Sequence, residues 1–164
     1  MDRKTITQGL TKAANSYFLR RGYSCTNELG IAKWGKYKVD MLGMNMRGDL
    51  VICEVKSSVA DFTSDDKRQK WVNYLPSCHR FYWVLTEDLA EKLRPHFPRF
   101  AEHGCGVLVL DRSTGYLRCI KPARRRKMLG KEQRHIIIRL AWRAGDVSKR
   151  NSRRTRIFLE DTTQ

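Results

Sequence analysis

Apolar residues along 4–21 recur at helical spacing: Ile6, Leu10, Ala13, Ala14, Tyr17 and Phe18 share one side of a helix. This predicts a first helix, with Asp2 or Thr5 as its cap and Gly22 as its stop. Residues 23–31 then predict a strand, and 37–46 and 49–57 predict two more, rich in β-branched and large apolar side chains. The turn Arg47–Gly48–Asp49 joins the latter two as a hairpin. Ser64–Asp65–Asp66 reads as the cap and acidic first turn of a second helix, closed by Pro76. The apolar run His79–Leu85 predicts a buried strand, and Thr86–Glu87–Asp88 caps a third helix reaching Arg94. Val107–Asp111 and Tyr116–Ile120, separated by the turn Arg112–Gly115, predict the last two strands. The order αβββαβαββ predicts an α/β fold, a mixed sheet flanked by helices on both faces.

Polar interruptions carry the chemistry. Asp40 sits in the first hairpin strand, and Glu54 and Lys56 sit in the second. Side chains alternate along a strand, so Glu54 and Lys56 point the same way and Val55 points opposite. Pairing around Gly48 brings Asp40 toward Glu54 at the hairpin end away from the turn. Two carboxylates and an ammonium then converge, and carboxylate oxygens suit a hard octahedral cation such as Mg²⁺. On its own, Glu-x-Lys on a strand is more often a cross-strand ion pair. Asp40 opposite, inside an αβββαβ frame, favours the chemical reading.

The pattern of Asp40, Glu54 and Lys56 on a hairpin resembles the PD-(D/E)XK nuclease superfamily, over roughly residues 4–120. The longer run Glu54–Ser58, Asp61–Phe62, Trp71, Tyr74 and Phe81–Tyr82 is similar to the MmcB-like DNA-repair family. Val39 stands where the superfamily's name expects Pro. The resemblance implies a restriction-endonuclease-like fold with an αβββαβ core. It also implies metal-dependent hydrolysis of DNA phosphodiester bonds in repair, recombination or phage and host DNA processing. Asp40, Glu54 and the Val55 carbonyl would hold Mg²⁺, for which Mn²⁺ substitutes, and Lys56 would stand beside the attacking water. Many members draw a further acid from the first helix. This helix has none after Asp2, so Glu28 on the first strand is the candidate replacement, against an exposed edge-strand carboxylate. A non-catalytic DNA-binding module, or a subunit of a larger nucleic-acid-processing complex, is the alternative.

Several neighbours have two readings. Ser57 and Ser58 would contact phosphate or simply end the strand. Lys70, four residues before Tyr74 on the expected helix, is a candidate phosphate contact. Asp61 reads as a turn cap and Trp71 and Trp83 as core. Trp34, in the loop Lys33–Lys38, would stack on an unpaired base or pack on its neighbours. The four histidines have no ligand spacing.

Charge adds the partner. The 164-residue chain is 41% hydrophobic, enough for a core, yet carries a net charge of +16. Such a surplus attracts polyanions, with nucleic acid the foremost. DNA is the expected partner, RNA an alternative. A membrane is not, since no apolar run approaches a spanning helix and the N-terminus has no signal-like segment. Five scattered cysteines without a C-x-x-C pair read as reduced thiols in a cytoplasm, that of a bacterial or phage-infected cell given the resemblance. A homodimer fits relatives that cut both strands.

The domain boundary is expected near residue 120, with a nuclease-like domain over 1–120 and a basic extension over 121–164. Residues 121–156 hold fourteen Lys+Arg against Glu132 and Asp146. Arg124, Arg125, Arg126, Lys127, Lys149, Arg150, Arg153 and Arg154 are the expected nucleic-acid contacts, around a short helix at Lys131–Arg143. The extension would grip DNA electrostatically, order only on nucleic acid, or stay a solvated, disordered tail.

Overall fold

A computed structural model describes residues 2–31 and 37–152, with side chains through 145. Helix α1 spans Arg3–Leu19 and buries Leu10, Ala14, Tyr17 and Phe18. Asp2 is its cap residue by backbone position, but its side chain makes no capping bond. The chain leaves the helix at Gly22, whose φ of 78° is strained for any residue with a Cβ.

Strands β1 (Tyr23–Gly30), β2 (Lys38–Asn45) and β3 (Leu50–Val55) form an antiparallel meander. The Asn45 side chain closes the β2–β3 turn by accepting the N–H groups of Arg47 and Asp49. Strands β4 (Arg80–Thr86) and β5 (Gly106–Leu110) continue the sheet in parallel with β3. β6 (Leu117–Lys121) closes it antiparallel, and the spatial order is β1-β2-β3-β4-β5-β6. From α1 to β4 the order is the αβββαβ expected of a restriction-endonuclease-like core.

Both faces of β3 are buried, because its alternate residues feed two cores. Leu50 and Ile52 join Leu42, Phe62, Trp71, Trp83 and Phe100 on one face. Val51, Cys53 and Val55 join Met41, Val84 and Leu108 beneath α1 on the other. Trp71 and Trp83 are therefore core, as expected.

The second helix differs from expectation. α2 runs over Val59–Lys67, starting at Ser58 rather than at Ser64. The Ser58 hydroxyl accepts the Asp61 N–H at 3.2 Å and turns the chain into helix directly after β3. The helix then stops at Gln69, held left-handed at φ 47°, and Lys70–Ser77 is 3-10 helix. Trp71, Tyr74 and Ser77 are all buried there. A three-residue period sets them in line, which an α-helix would not.

α3 (Glu87–Leu93) is capped by Thr86, as predicted. The short α4 (Phe97–Glu102) has no counterpart among the expected elements; Pro98 stands in its first turn, where proline is tolerated. α5 covers Gly130–Ser152, longer than expected, and its Ile136 is in the first core at 1% exposure. The side chains of Lys149 and Arg150 on α5 lie outside the described residues, as do Arg153, Arg154 and Trp34 altogether. Among described residues all five cysteines are free thiols; Cys119 is exposed, whereas burial pushes Cys105 up to about 11. No helix in the described residues is long and apolar enough to cross a membrane.

Candidate active site

Cross-strand register builds the site. Met41 pairs with Cys53, so Asp40 stands opposite Glu54 one step beyond the last ladder pair. The Asp40 carboxylate reaches across: its Oδ2 accepts the Val55 N–H at 2.7 Å. That bond leaves its Oδ1 as the oxygen not engaged by Val55. Burial raises the Asp40 pKa, opposed by the Val55 hydrogen bond and the Lys56 charge.

Glu54 is 2% exposed and pairs in register with Trp83 on β4. Its Oε1 accepts from Lys56 Nζ at 3.2 Å, and its buried Oε2 has no partner. Burial and the Asp40 charge push its carboxyl up to about 7. A buried carboxylate oxygen without a donor is costly unless a cation or proton completes it.

Lys56 is 3% exposed. Its N–H bonds the Val84 carbonyl, which fixes the backbone just past β3. Its ammonium donates to Glu54 and, at 2.6 Å, to Asp65 Oδ2. Burial disfavours the charge, but Glu54 and Asp65 outweigh it and hold the Lys56 pKa above the usual lysine value. Lys70 Nζ lies 3.8 Å from both Glu54 and Asp65 and 5.7 Å above the Tyr74 ring. Lys70 and Tyr74 are thus neighbours, although the segment is 3-10 helix, in which the i, i+4 spacing of an α-helix does not put them on one face. Tyr74 itself donates its hydroxyl to the Lys38 carbonyl at 3.0 Å, bracing the start of β2.

Two opposed carboxylates, one with an orphaned buried oxygen, suit a divalent cation. Among the described residues no three His, Cys, Asp or Glu side chains form a metal-sized group. Mg²⁺ needs none, since it commonly binds one or two carboxylates and keeps several waters.

The remaining sequence candidates divide. Glu28 falls opposite Asp40 in the β1–β2 register and lines the same surface pocket, with Thr7, Gln8, Lys12 and Asn27. Its own side chain is 71% exposed and bonds Lys38 Nζ at 2.9 Å. Ser58 is the α2 cap, and Ser57 Oγ accepts from Arg3. Arg3 also pairs with Asp61 at 3.2 Å, tying the start of α1 to that of α2.

A family model described as "MmcB-like: DNA repair protein MmcB-like" matches residues 3–150. The chain belongs to the MmcB-like family of DNA repair proteins. Two solved structures are similar to it. One is the SPO1766 protein of unknown function from Silicibacter pomeroyi, 24% identical, covering 93% of this chain and 97% of its own, with a TM-score of 0.72. The other is an XisH family protein from Nostoc punctiforme PCC 73102, 18% identical, covering 71% and 98%, with a TM-score of 0.48. The first shares the fold. No curated protein matches the chain.

The MmcB-like match includes most of α5, and the basic residues there do different things. Arg126 is half-buried, donating to the His103 carbonyl and lying 3.6 Å from Cys105 Sγ. Arg125 pairs with Asp49 at 2.7 Å, fastening the segment to the hairpin turn. Arg139 and Arg143 donate to the carbonyls of Gly30 and Glu28, so α5 is pinned to the end of β1. Arg124, Lys127, Lys131 and Arg134 present exposed side chains. Lys131 and Arg134 were not among the sequence candidates, nor was Asp65. Asp65 follows Asp61 by one helical turn, a signal readable only once the helix is known to start at Ser58.

Proposed function

We propose that this chain is a divalent-cation-dependent deoxyribonuclease of the PD-(D/E)XK type, hydrolysing phosphodiester bonds of DNA. The observation that carries the reading is the buried Glu54, one oxygen unpartnered, opposite Asp40 and beside Lys56. Membership of a DNA repair family supports DNA as the substrate. Asp40, Glu54 and the Val55 carbonyl would hold Mg²⁺, or Mn²⁺ in its place, which would supply an acidified water and neutralise charge at the scissile phosphate.

The protein's own groups do the rest. Lys56, with its ammonium fixed by two carboxylates, donates a hydrogen bond to the attacking water and offsets charge gathering on the phosphoryl oxygens. In-line attack forms the bond from the water oxygen to phosphorus and breaks that to the 3′ oxygen; the water gives up a proton to solvent and the 3′ oxygen takes one from it. Exposed Arg124, Lys127, Lys131 and Arg134 contact phosphates without reading bases.

Cleavage of supercoiled, single-stranded and branched DNA, with Mg²⁺, Mn²⁺ or EDTA, tests this directly. The expected result is metal-dependent cutting lost in Glu54→Ala and Lys56→Ala, with DNA still shifted in a gel. Folded wild-type protein that binds DNA tightly and cuts none of the substrates would favour a non-catalytic binding module or complex subunit.

A further inference from the structure

Lys56 has two carboxylate partners, and the shorter contact is to Asp65, at 2.6 Å against 3.2 Å for Glu54. The Asp65 side chain is 17% exposed and comes from α2, away from the hairpin. Its place is set from both sides. Ser58 caps the start of α2, and Asp66 next door accepts from the Trp71 indole at 3.1 Å and from both Arg99 terminal nitrogens. The adjacent aspartates thus face apart, Asp66 toward the aromatic core and Asp65 toward the site.

A lysine ammonium has three rotatable donors, and without a second carboxylate nothing would hold them off the other oxygen of Glu54. With Asp65 present, Lys56 engages only Oε1 of Glu54, and Oε2 stays without a donor. Lys70, 3.8 Å from both acids, adds diffuse positive charge but no hydrogen bond to either. We infer that Asp65 is a positioning residue: it holds the Lys56 ammonium away from Glu54 Oε2 and so keeps that oxygen open to a divalent cation. The inference rests on Asp40 and Glu54 being the cation's ligands. It assigns Asp65 no contact with the cation or with DNA.

Calorimetric titration of Mn²⁺ into the full chain tests it, using wild type, Asp65→Asn, Asp65→Glu, Lys56→Met and the Lys56→Met/Asp65→Asn pair. Loss of a partner that orients a metal ligand typically weakens affinity roughly 10- to 100-fold, and Asp65→Asn should fall in that range. Asp65→Glu should restore most of the affinity. In the Lys56→Met background Asp65→Asn should cost nothing further, which a merely structural role would not produce. If Asp65→Asn does not fold, Asp65→Ser is read in the same way.

Unchanged affinity in Asp65→Asn overturns the inference, as does a loss that persists undiminished without Lys56. Wild type that binds no Mn²⁺ overturns it together with the cation-site reading. Wild type that binds Mn²⁺ and cuts no DNA, with the variants behaving as expected, leaves Asp65 in its role and removes only the nuclease.

Discussion

Asp40 Oδ2 accepts the backbone N–H of Val55 at 2.7 Å, so the carboxylate on β2 is hydrogen-bonded to the residue between Glu54 and Lys56 on β3. The bond fixes the carboxylate opposite Glu54 by main-chain geometry, independent of any bound ion. Asp40→Ala should leave the hairpin paired but unsatisfy that N–H, costing about 1–3 kcal/mol in chemical denaturation. Hydrogen exchange at Val55 should quicken while that at Leu42 and Ile52, within the ladder, does not.

Glu54 titrates near 7 because burial and Asp40 favour its neutral form. A divalent cation must displace that proton. Mn²⁺ affinity should fall about tenfold for each pH unit below 7 and level off above it. Affinity flat from pH 5.5 to 7.5 would exclude Glu54 as the titrating ligand. The same shift bears on stability without metal. The folded pKa is raised, so the carboxyl's contribution is full at acid pH and is lost as pH rises through about 7. Glu54→Gln should therefore match wild type near pH 5 and exceed it in stability near pH 8.

Removing the buried ammonium strands Glu54 and Asp65 without their shared counter-charge. Lys56→Met keeps most of the side-chain volume, so its cost reports charge rather than packing. Breaking one partner of a buried ion pair costs about 3–5 kcal/mol, and urea unfolding should show a loss of that order. Combining it with Glu54→Gln should recover part of the loss, since one orphaned charge goes with it.

Phosphate contacts are read by salt. Arg124, Lys127, Lys131 and Arg134 are exposed, and replacing any one by Ala should lower the slope of log affinity against log salt by about 1. Their melting temperatures should stay at the wild-type value. Arg126→Ala should do the reverse, destabilising the fold by losing its bonds near His103 and Cys105 while leaving the slope unchanged.

His79 makes an acid-sensitive joint on the other side of the hairpin. Its Nδ1 accepts the Leu50 N–H at 2.9 Å, and burial lowers its pKa. A lowered folded pKa means that its stabilising contribution is present above the usual histidine value and is lost as pH falls through the folded one. The protection factor of the Leu50 amide, its exchange rate relative to the unprotected rate at the same pH, should fall over that range and stay constant in His79→Gln.

Much of this was legible in the chain itself. Period-2 alternation around Gly48 placed Asp40, Glu54 and Lys56 at one end of a hairpin, because strand geometry fixes which residues face each other. Thr86 announced α3 through local capping, and helical spacing announced α1. Only tertiary structure decided where α2 begins, since Ser58 and Ser64 both precede plausible helices and packing chose between them. The core likewise turned Lys70–Ser77 into 3-10 helix, so that Trp71, Tyr74 and Ser77 face inward together. Asp65 became a partner of Lys56 through that folding, nine residues along the chain. Short-range periodicity carries backbone conformation and alternation of faces. Which polar group meets a buried charge depends on how helices stack on the sheet, and that is settled by the whole core at once.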